Sequence, residues 1–287
     1  MRRKYQDSAA VEGEASRFFK KHKKALIVTA VIIIAAIVCV SIINGVLTKQ
    51  GFESSTIATS DTVKIGIRTD IEGFGAIDES GNITGFDRDY VDAVLKALLG
   101  DQPKIYEYYS ITSQDAAGEM KYGGINIALG LLTEGVNKTS GFRLTTPYYT
   151  DKVVAVVRSD SRLEKITNLE GGTIGVLSNA ISADDLKDYI KDSKMNYNTS
   201  EVLRYSDYES AREDLEAGRV TAVVMPKVIA SRFVEEGFRM VAEPLYEVGY
   251  CIMLPTGQAA VQTEMNRVIE QFEQDGTAQA LREKWGL

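Results

Sequence analysis

Hydrophobic and polar positions fall into blocks along this chain, and the period of the blocks changes. From Ala25 to Ile43, "ALIVTAVIIIAAIVCVSII" runs 19 residues without a charge, and none appears before Lys49. At about 1.5 Å per residue, that run spans roughly 28 Å as a helix, enough for a bilayer's hydrocarbon layer. After a polar stretch at 45–60, short β-branched runs alternate with segments of helical period. Strands are predicted at 63–68 ("VKIGIR"), 104–109, 125–130, 152–157, 172–177, 201–205, 220–225 and 249–254. Helices are predicted over 85–100, 112–122, 181–192, 207–217, 227–236, 258–274 and 277–285. In the first of these, Phe86, Tyr90, Val91, Val94, Leu95 and Leu98 recur at helical spacing; Asp87 is available to cap and Gly100 to stop. The apolar run "INIALG" fits a parallel strand covered on both faces. Alternating βαβ units in two blocks predict two α/β lobes with parallel sheets. Ligands of such sheets bind beyond the strands' carboxyl ends, which here are 68–76, 130–138 and 177–182.

Charge orients the apolar run. Arg2, Arg3, Lys4, Arg17, Lys20, Lys21, Lys23 and Lys24 precede it, against Asp7, Glu12 and Glu14. The positive-inside bias makes 1–24 a cytoplasmic leader, 25–47 a transmembrane anchor, 48–60 a linker, and places everything beyond outside the cell. A cleaved signal peptide would have a shorter apolar region and a small-residue cleavage site, and no A-x-A follows here. Cys39 invites lipidation, but Val38 before it is too bulky for that signal, so a retained single-pass anchor is the reading adopted.

The whole chain of 287 residues carries a net charge of −7; without the leader's eight cations and three anions the remainder stands at −12. Its bulk field therefore repels nucleic acid and anionic lipid, and no nucleic-acid partner is expected. The only histidine, His22, lies in the leader, which removes His-based triads and Cys/His zinc sets from the outer part. Cys39 and Cys251 are too differently placed for an internal disulfide, and no cofactor is expected. The pairs Gly123-Gly124 and Gly171-Gly172 lack a phosphate-loop sequence and read as turns. Asp184, Asp185 and Glu209 read as solvated helix faces.

Four stretches, in order, carry a resemblance. "GNITGFDRDYVDAVLKALL" looks like a G-x-x-x-GFD-x-D strand–helix start, and "TTPYYT" like an FS-x-PYY lobe crossing. "NLEGGTIGVLSN" looks like a DLKGKKVGV opening of a second lobe, and "QFEQDGTAQALREKWGL" like a DGT…KW helix pair. Together they resemble the family 3 extracellular solute-binding proteins, the amino-acid receptors of ABC importers, over about residues 61–287. The resemblance implies a two-lobed, type II periplasmic-binding-protein-like α/β fold. Lobe 1 would be 61–150 with 246–287, and lobe 2 would be 151–245. It also makes Pro147-Tyr148-Tyr149 a crossing strand whose tyrosines pack at the hinge.

The same resemblance implies site residues. The loop after the third strand supplies Gly130, Thr133 and, one residue out of step, Lys138 where relatives have an arginine that forks onto the ligand's α-carboxylate. Lysine keeps the charge but not the fork. Ser178, Asn179 and Ala180 stand at the second lobe's polar loop. Pro226, followed by Lys227, stands where relatives have the aspartate that accepts an α-ammonium. Arg68 ends the first strand, where relatives that bind acidic amino acids place an arginine, and Phe74 matches a pocket-wall aromatic. Arg68 could instead pair with Asp70 or Glu72, and Phe74 could be core. The expectation is a membrane-anchored solute-binding protein that closes on a small anionic solute, an acidic amino acid or dicarboxylate, and presents it to ABC permease subunits. The alternative is a sensory or scaffold module without a transport ligand. An enzyme is not expected.

Overall fold

The structure, a computed structural model, describes residues 2–133, 141–169, 171–193, 195, 202–234 and 237–287. The chain divides into two compact units, Met1–Gln50 and Gly51–Leu287. The first lies within one helix, α1 (Arg2–Glu53). Its portion from Ile27 is long and apolar enough to cross a membrane, and the apolar side chains there are exposed.

In the second unit the chain begins inside a core rather than in a polar tether. Phe52 and Ile57 are buried, and Ser55 Oγ caps the short helix α2 (Thr56–Thr59) by accepting from the Ala58 N–H. Those two apolar side chains dock the stretch together with Lys104, whose Nζ donates to the carbonyls of Ala58 and Ser60.

A five-stranded sheet forms lobe 1. Its strands are β1 (Thr62–Arg68), β4 (Ile105–Ile111), β5 (Ile127–Leu129), β6 (Phe142–Leu144) and β13 (Met253–Pro255), in the order β4-β1-β5-β13-β6. A small hairpin, β2 (Ala76–Ile77) with β3 (Ile83–Thr84), precedes helix α3 (Phe86–Leu99). Gly85 makes that junction possible: it sits at φ 128°, and a Cβ there would come 2.2 Å from the Phe74 carbonyl. α3 buries Phe86, Tyr90, Val91, Val94, Leu95 and Leu99, the face its period predicts except that Leu99 is buried and Leu98 only half-buried. It packs with α8 (Ala259–Asp275) and α9 (Thr277–Trp285), and α4 (Asp115–Lys121) lies between β4 and β5 in sequence.

Lobe 2 holds a six-stranded sheet of β7 (Tyr149–Arg158), β8 (Ile174–Leu177), β9 (Val202–Tyr205), β10 (Ala222–Pro226), β11 (Phe238–Met240) and β12 (Tyr246–Tyr250). Helices α5 (Ala183–Asp192), α6 (Tyr208–Glu216) and α7 (Lys227–Phe233) intervene. β8, β9 and β10 are parallel, as the βαβ pattern predicts, but β7, β11, β12, β13 and β6 pair antiparallel. The sheets are therefore mixed, because the chain leaves and re-enters each lobe along extended segments rather than helices.

Those extended segments are β7 and β12, paired from Tyr149↔Tyr250 to Val153↔Tyr246. The strand predicted at 249–254 is in fact the end of β12 and the start of β13, in different sheets, with Cys251 and Ile252 between them. Gly249 lets Pro147 approach, since a Cβ there would meet the proline ring at 2.6 Å. Tyr149 stacks on Tyr250 at 6.5 Å between ring centroids, and Tyr148 stacks on Phe86 at 6.1 Å. The hinge tyrosines thus pack as the Pro-Tyr-Tyr segment implies.

Tyr148 donates from its hydroxyl to Asp87 Oδ1 at 2.6 Å, and Asp87 is wholly buried. Burial raises the Asp87 carboxyl from 3.8 to about 7, against the lowering effect of Tyr148 and of Arg68. Between those values the folded protein keeps a proton that the unfolded chain has lost, so stability should fall as pH rises from about 4 to 7 and then level off. Asp87→Asn keeps the acceptor for Tyr148 and removes the titration. The variant should melt higher than the parent at pH 8, by at most ~4 kcal/mol of stability, with the difference gone at pH 4. Melting of the full chain from pH 4 to 8 checks this.

Candidate functional site

Arg68 ends β1 at the carboxyl edge of lobe 1 and is 1% exposed. Its guanidinium is held on three sides. Nε and Nη2 donate to the two oxygens of Asp70 at 3.0 and 2.8 Å, a planar fork. Nη1 donates to the backbone carbonyl of Asn179 at 2.8 Å and lies 3.4 Å from that of Gly130. Asn179 follows β8 in lobe 2, so one side chain joins the two lobes.

Gly130 is what gives this side chain room. It sits at φ 119°, and a Cβ there would come 2.4 Å from the Arg68 Cβ. Leu131 follows at φ 51°, a left-handed conformation unusual for a side chain of its kind, and is held there by complete burial. Lobe 2 answers with a polar turn. Ser178 donates both its N–H and its Oγ to the Tyr205 carbonyl at 2.9 Å. Asn179 Nδ2 donates to the Ser206 carbonyl at 2.8 Å, while its buried Oδ1 has no partner among the described residues.

A cavity of about 430 Å³ opens beside this junction. Arg68, Asp70, Ile71, Leu177, Asn179, Ser206, Asp207, Tyr208, Glu209 and Ile229 line it. Such a volume lies in the range of small-molecule sites. Asp207 caps α6 by accepting from the Ser210 N–H at 2.8 Å, and that bond holds its carboxyl below the usual range. Among the described lining residues Asp70, Asp207 and Glu209 are acidic, and Arg68 is the one cation, already forked onto Asp70. A second, more open cavity of about 540 Å³ lies between Thr133, α5 and β12. It is lined by Asp185, Asp188, Asp192 and Glu247, with Tyr189 and Tyr246.

Several expected site residues meet here and others do not. Arg68, Gly130 and Asn179 converge on one junction, with Ser178 supporting the turn from behind. Thr133 faces the second cavity. Phe74 is fully buried and packs edge-on against Phe86 at 5.5 Å and Tyr149 at 4.8 Å, in the aromatic core and outside the lining of either cavity. Lys138 lies outside the described residues. Pro226 ends β10, and the helix it precedes is capped from the crossing strand: Asp151 Oδ2 accepts from the Val228 N–H at 2.9 Å. Sequence reading missed Ser206, Asp207 and Tyr208; Glu209 is exposed, as a solvated helix face would be, and also lines the cavity. The signal was present, because 205–209 is one more junction at a parallel strand's carboxyl end.

Two α/β lobes joined by an antiparallel strand pair, with a polar cavity between them, define the two-lobed periplasmic-binding-protein fold. The chain belongs to the bacterial extracellular solute-binding proteins, family 3, whose model matches residues 63–287. This is a family of binding proteins, not enzymes. The ABC transporter glutamine-binding protein GlnH of Bacillus subtilis is 23% identical over 248 residues, covering 84% of this chain and 88% of that one. The glutamate/aspartate import solute-binding protein of Escherichia coli is 21% identical over 237 residues, covering 80% and 78%. Among solved structures, an arginine 3rd transport system periplasmic binding protein from Legionella pneumophila superposes with a TM-score of 0.64 at 17% identity, covering 79% of this chain and 100% of that one.

Gly130→Ala tests the packing at the junction. Beyond the cost of its backbone conformation, the added methyl must displace the Arg68 stem, so the loss of stability should be about 2 kcal/mol or more. Gly141→Ala, at φ 107° with open space around it, should lose less. Urea unfolding of both variants measures the difference.

Proposed function

We propose that this protein is the membrane-anchored receptor of an amino-acid ABC importer, and that the amino acid it captures carries a cationic side chain. The observation that carries the reading is the lining of the inter-lobe cavity. Among the described residues, Asp207 and Glu209 line it beyond the Arg68–Asp70 pair, and the second cavity adds four more carboxylates. These carboxylates are exposed to solvent, and an acidic lining of that kind draws cations toward the gap and repels anions. The anionic solute expected from the sequence rested on Arg68 and Lys138. Arg68 does face the gap, but it brings its own counter-ion, and Lys138 lies outside the described residues. Family membership supports an amino acid as the ligand class and an ABC permease as the partner.

The anchor reading draws support from the apolar, exposed helix beginning at Ile27 and from the basic leader. On this reading 1–24 is cytoplasmic, 25–47 crosses the membrane, 48–60 leads out, and the lobes (61–150 with 246–287, and 151–245) face the exterior. A cysteine placed at the exposed Ser80 should then react with a membrane-impermeant maleimide in intact cells. Labelling that requires cell lysis would reverse the topology.

One observation favours a second reading, a solute-binding-like scaffold without a transported ligand: Arg68, Ser178 and Asn179 all spend hydrogen bonds within the chain. A thermal-shift panel on the full chain separates the readings. Arginine or lysine at a hundred times its dissociation constant should add about 2.7 kcal/mol, or roughly 5–10 °C, while glutamate and dicarboxylates add nothing. Asp207→Asn, which still caps α6, and Glu209→Gln should each weaken the effect about tenfold in ligand concentration. A shift with glutamate alone would restore the anionic solute. No shift with any amino acid would leave the scaffold.

A further inference from the structure

Arg68 does more than line a cavity. A guanidinium removed from water has to find acceptors for its donors, and here those acceptors come from both lobes. Asp70 sits two residues along the same segment, and its carboxylate is still 55% exposed. That carboxylate fixes the plane of the guanidinium and turns Nη1 across the gap. Gly130, by lacking a Cβ, lets the stem lie flat along lobe 1. The remaining donor then meets the carbonyl of Asn179, whose turn is itself fastened to the β9 segment through the Tyr205 and Ser206 carbonyls. Every contact in this series is made within the chain, and the cavity of about 430 Å³ lies beside it.

We infer that Arg68 is an intrachain latch: it bridges the lobes in place of a ligand and holds the cleft closed before any solute arrives. The inference rests on the capture reading only for its consequence, since a receptor already closed around an open cavity gives up less of its binding energy to closing. Arg68 is then a positioning residue. It acts on the solute through the placement of Asn179, Asp70 and the β9–α6 turn, not by contact. The Lys138 and Arg68 pair expected to grip a carboxylate is thereby split, with Arg68 assigned to the protein itself.

The test measures the distance between lobes in the absence of solute. In the full chain in detergent micelles, with Cys39→Ala to clear the exposed native thiol, spin labels at Ser80→Cys and Ala217→Cys report one lobe each; Cys251 is buried. The parent should show one dominant short-distance population. Arg68→Met keeps the bulk of the stem and removes every donor, and should raise the long-distance fraction about tenfold. Arg68→Lys, which cannot reach Asp70 and Asn179 together with the same fork, should fall between. If Arg68→Met does not fold, Arg68→Lys decides. A parent that is open without solute, or folded variants with the parent's distribution, overturns the latch. Because no solute is added, this outcome is independent of the amino-acid panel: either can fail while the other stands.

Discussion

Tyr149 and Tyr250 face each other across the two strands that carry the chain from one lobe to the other and back. Their pairing, five residues long on each strand, is the constraint on which the rest of the molecule depends. It sets how far apart the carboxyl edges of the two sheets can move. It brings Gly130 and Asn179 within reach of the same guanidinium. It also seats Tyr148 on Asp87, so the hinge and the buried carboxyl share one hydrogen bond. An antiparallel pair is stiff along its length and soft to twist, which suits a joint between two rigid bodies.

The electrostatics of the gap follow from which charges that joint brings together. Counting cations by position along the chain favours an anionic solute, because Arg68 and Lys138 both fall at strand ends. Geometry changes the sum. A forked ion pair commits Arg68 to Asp70, so its charge is no longer a free anchor for a ligand's carboxylate, although its field still reaches Asp87. What remains at the described lining is carboxylate. A charge at a strand end says little about a cleft until its nearest neighbour is known.

The fold was legible because it is written in periods. Helix α3 and the parallel strands β1, β5, β8 and β10 follow their hydrophobic repeat closely, and the glycines at 85 and 100 mark where α3 begins and ends. The antiparallel strands were harder. "GYCIML" is continuous in hydropathy, yet it changes sheets at Cys251, and hydropathy does not record which sheet a residue joins. Half of the site could also be read. Arg68, Gly130 and Asn179, which the resemblance put forward, converge on one junction. Asp207 and Glu209 were passed over because their polarity resembles that of any solvated helix start. Phe74 was open to two readings, pocket wall or core, and its neighbours Phe86 and Tyr149 draw it into the core.

The order of lobe 1's sheet has a consequence for how the molecule is made. β13, late in the chain, lies between β5 and β6 and is the only neighbour that β6 has among the described strands. Until Met253–Pro255 has been synthesised, Phe142–Leu144 lacks that partner, and α3 lacks the helices that cover it. Lobe 2 has all of its strands by Tyr250. During synthesis, then, the later-encoded sheet can complete itself first, and the earlier one waits for β13 and the helices that follow it.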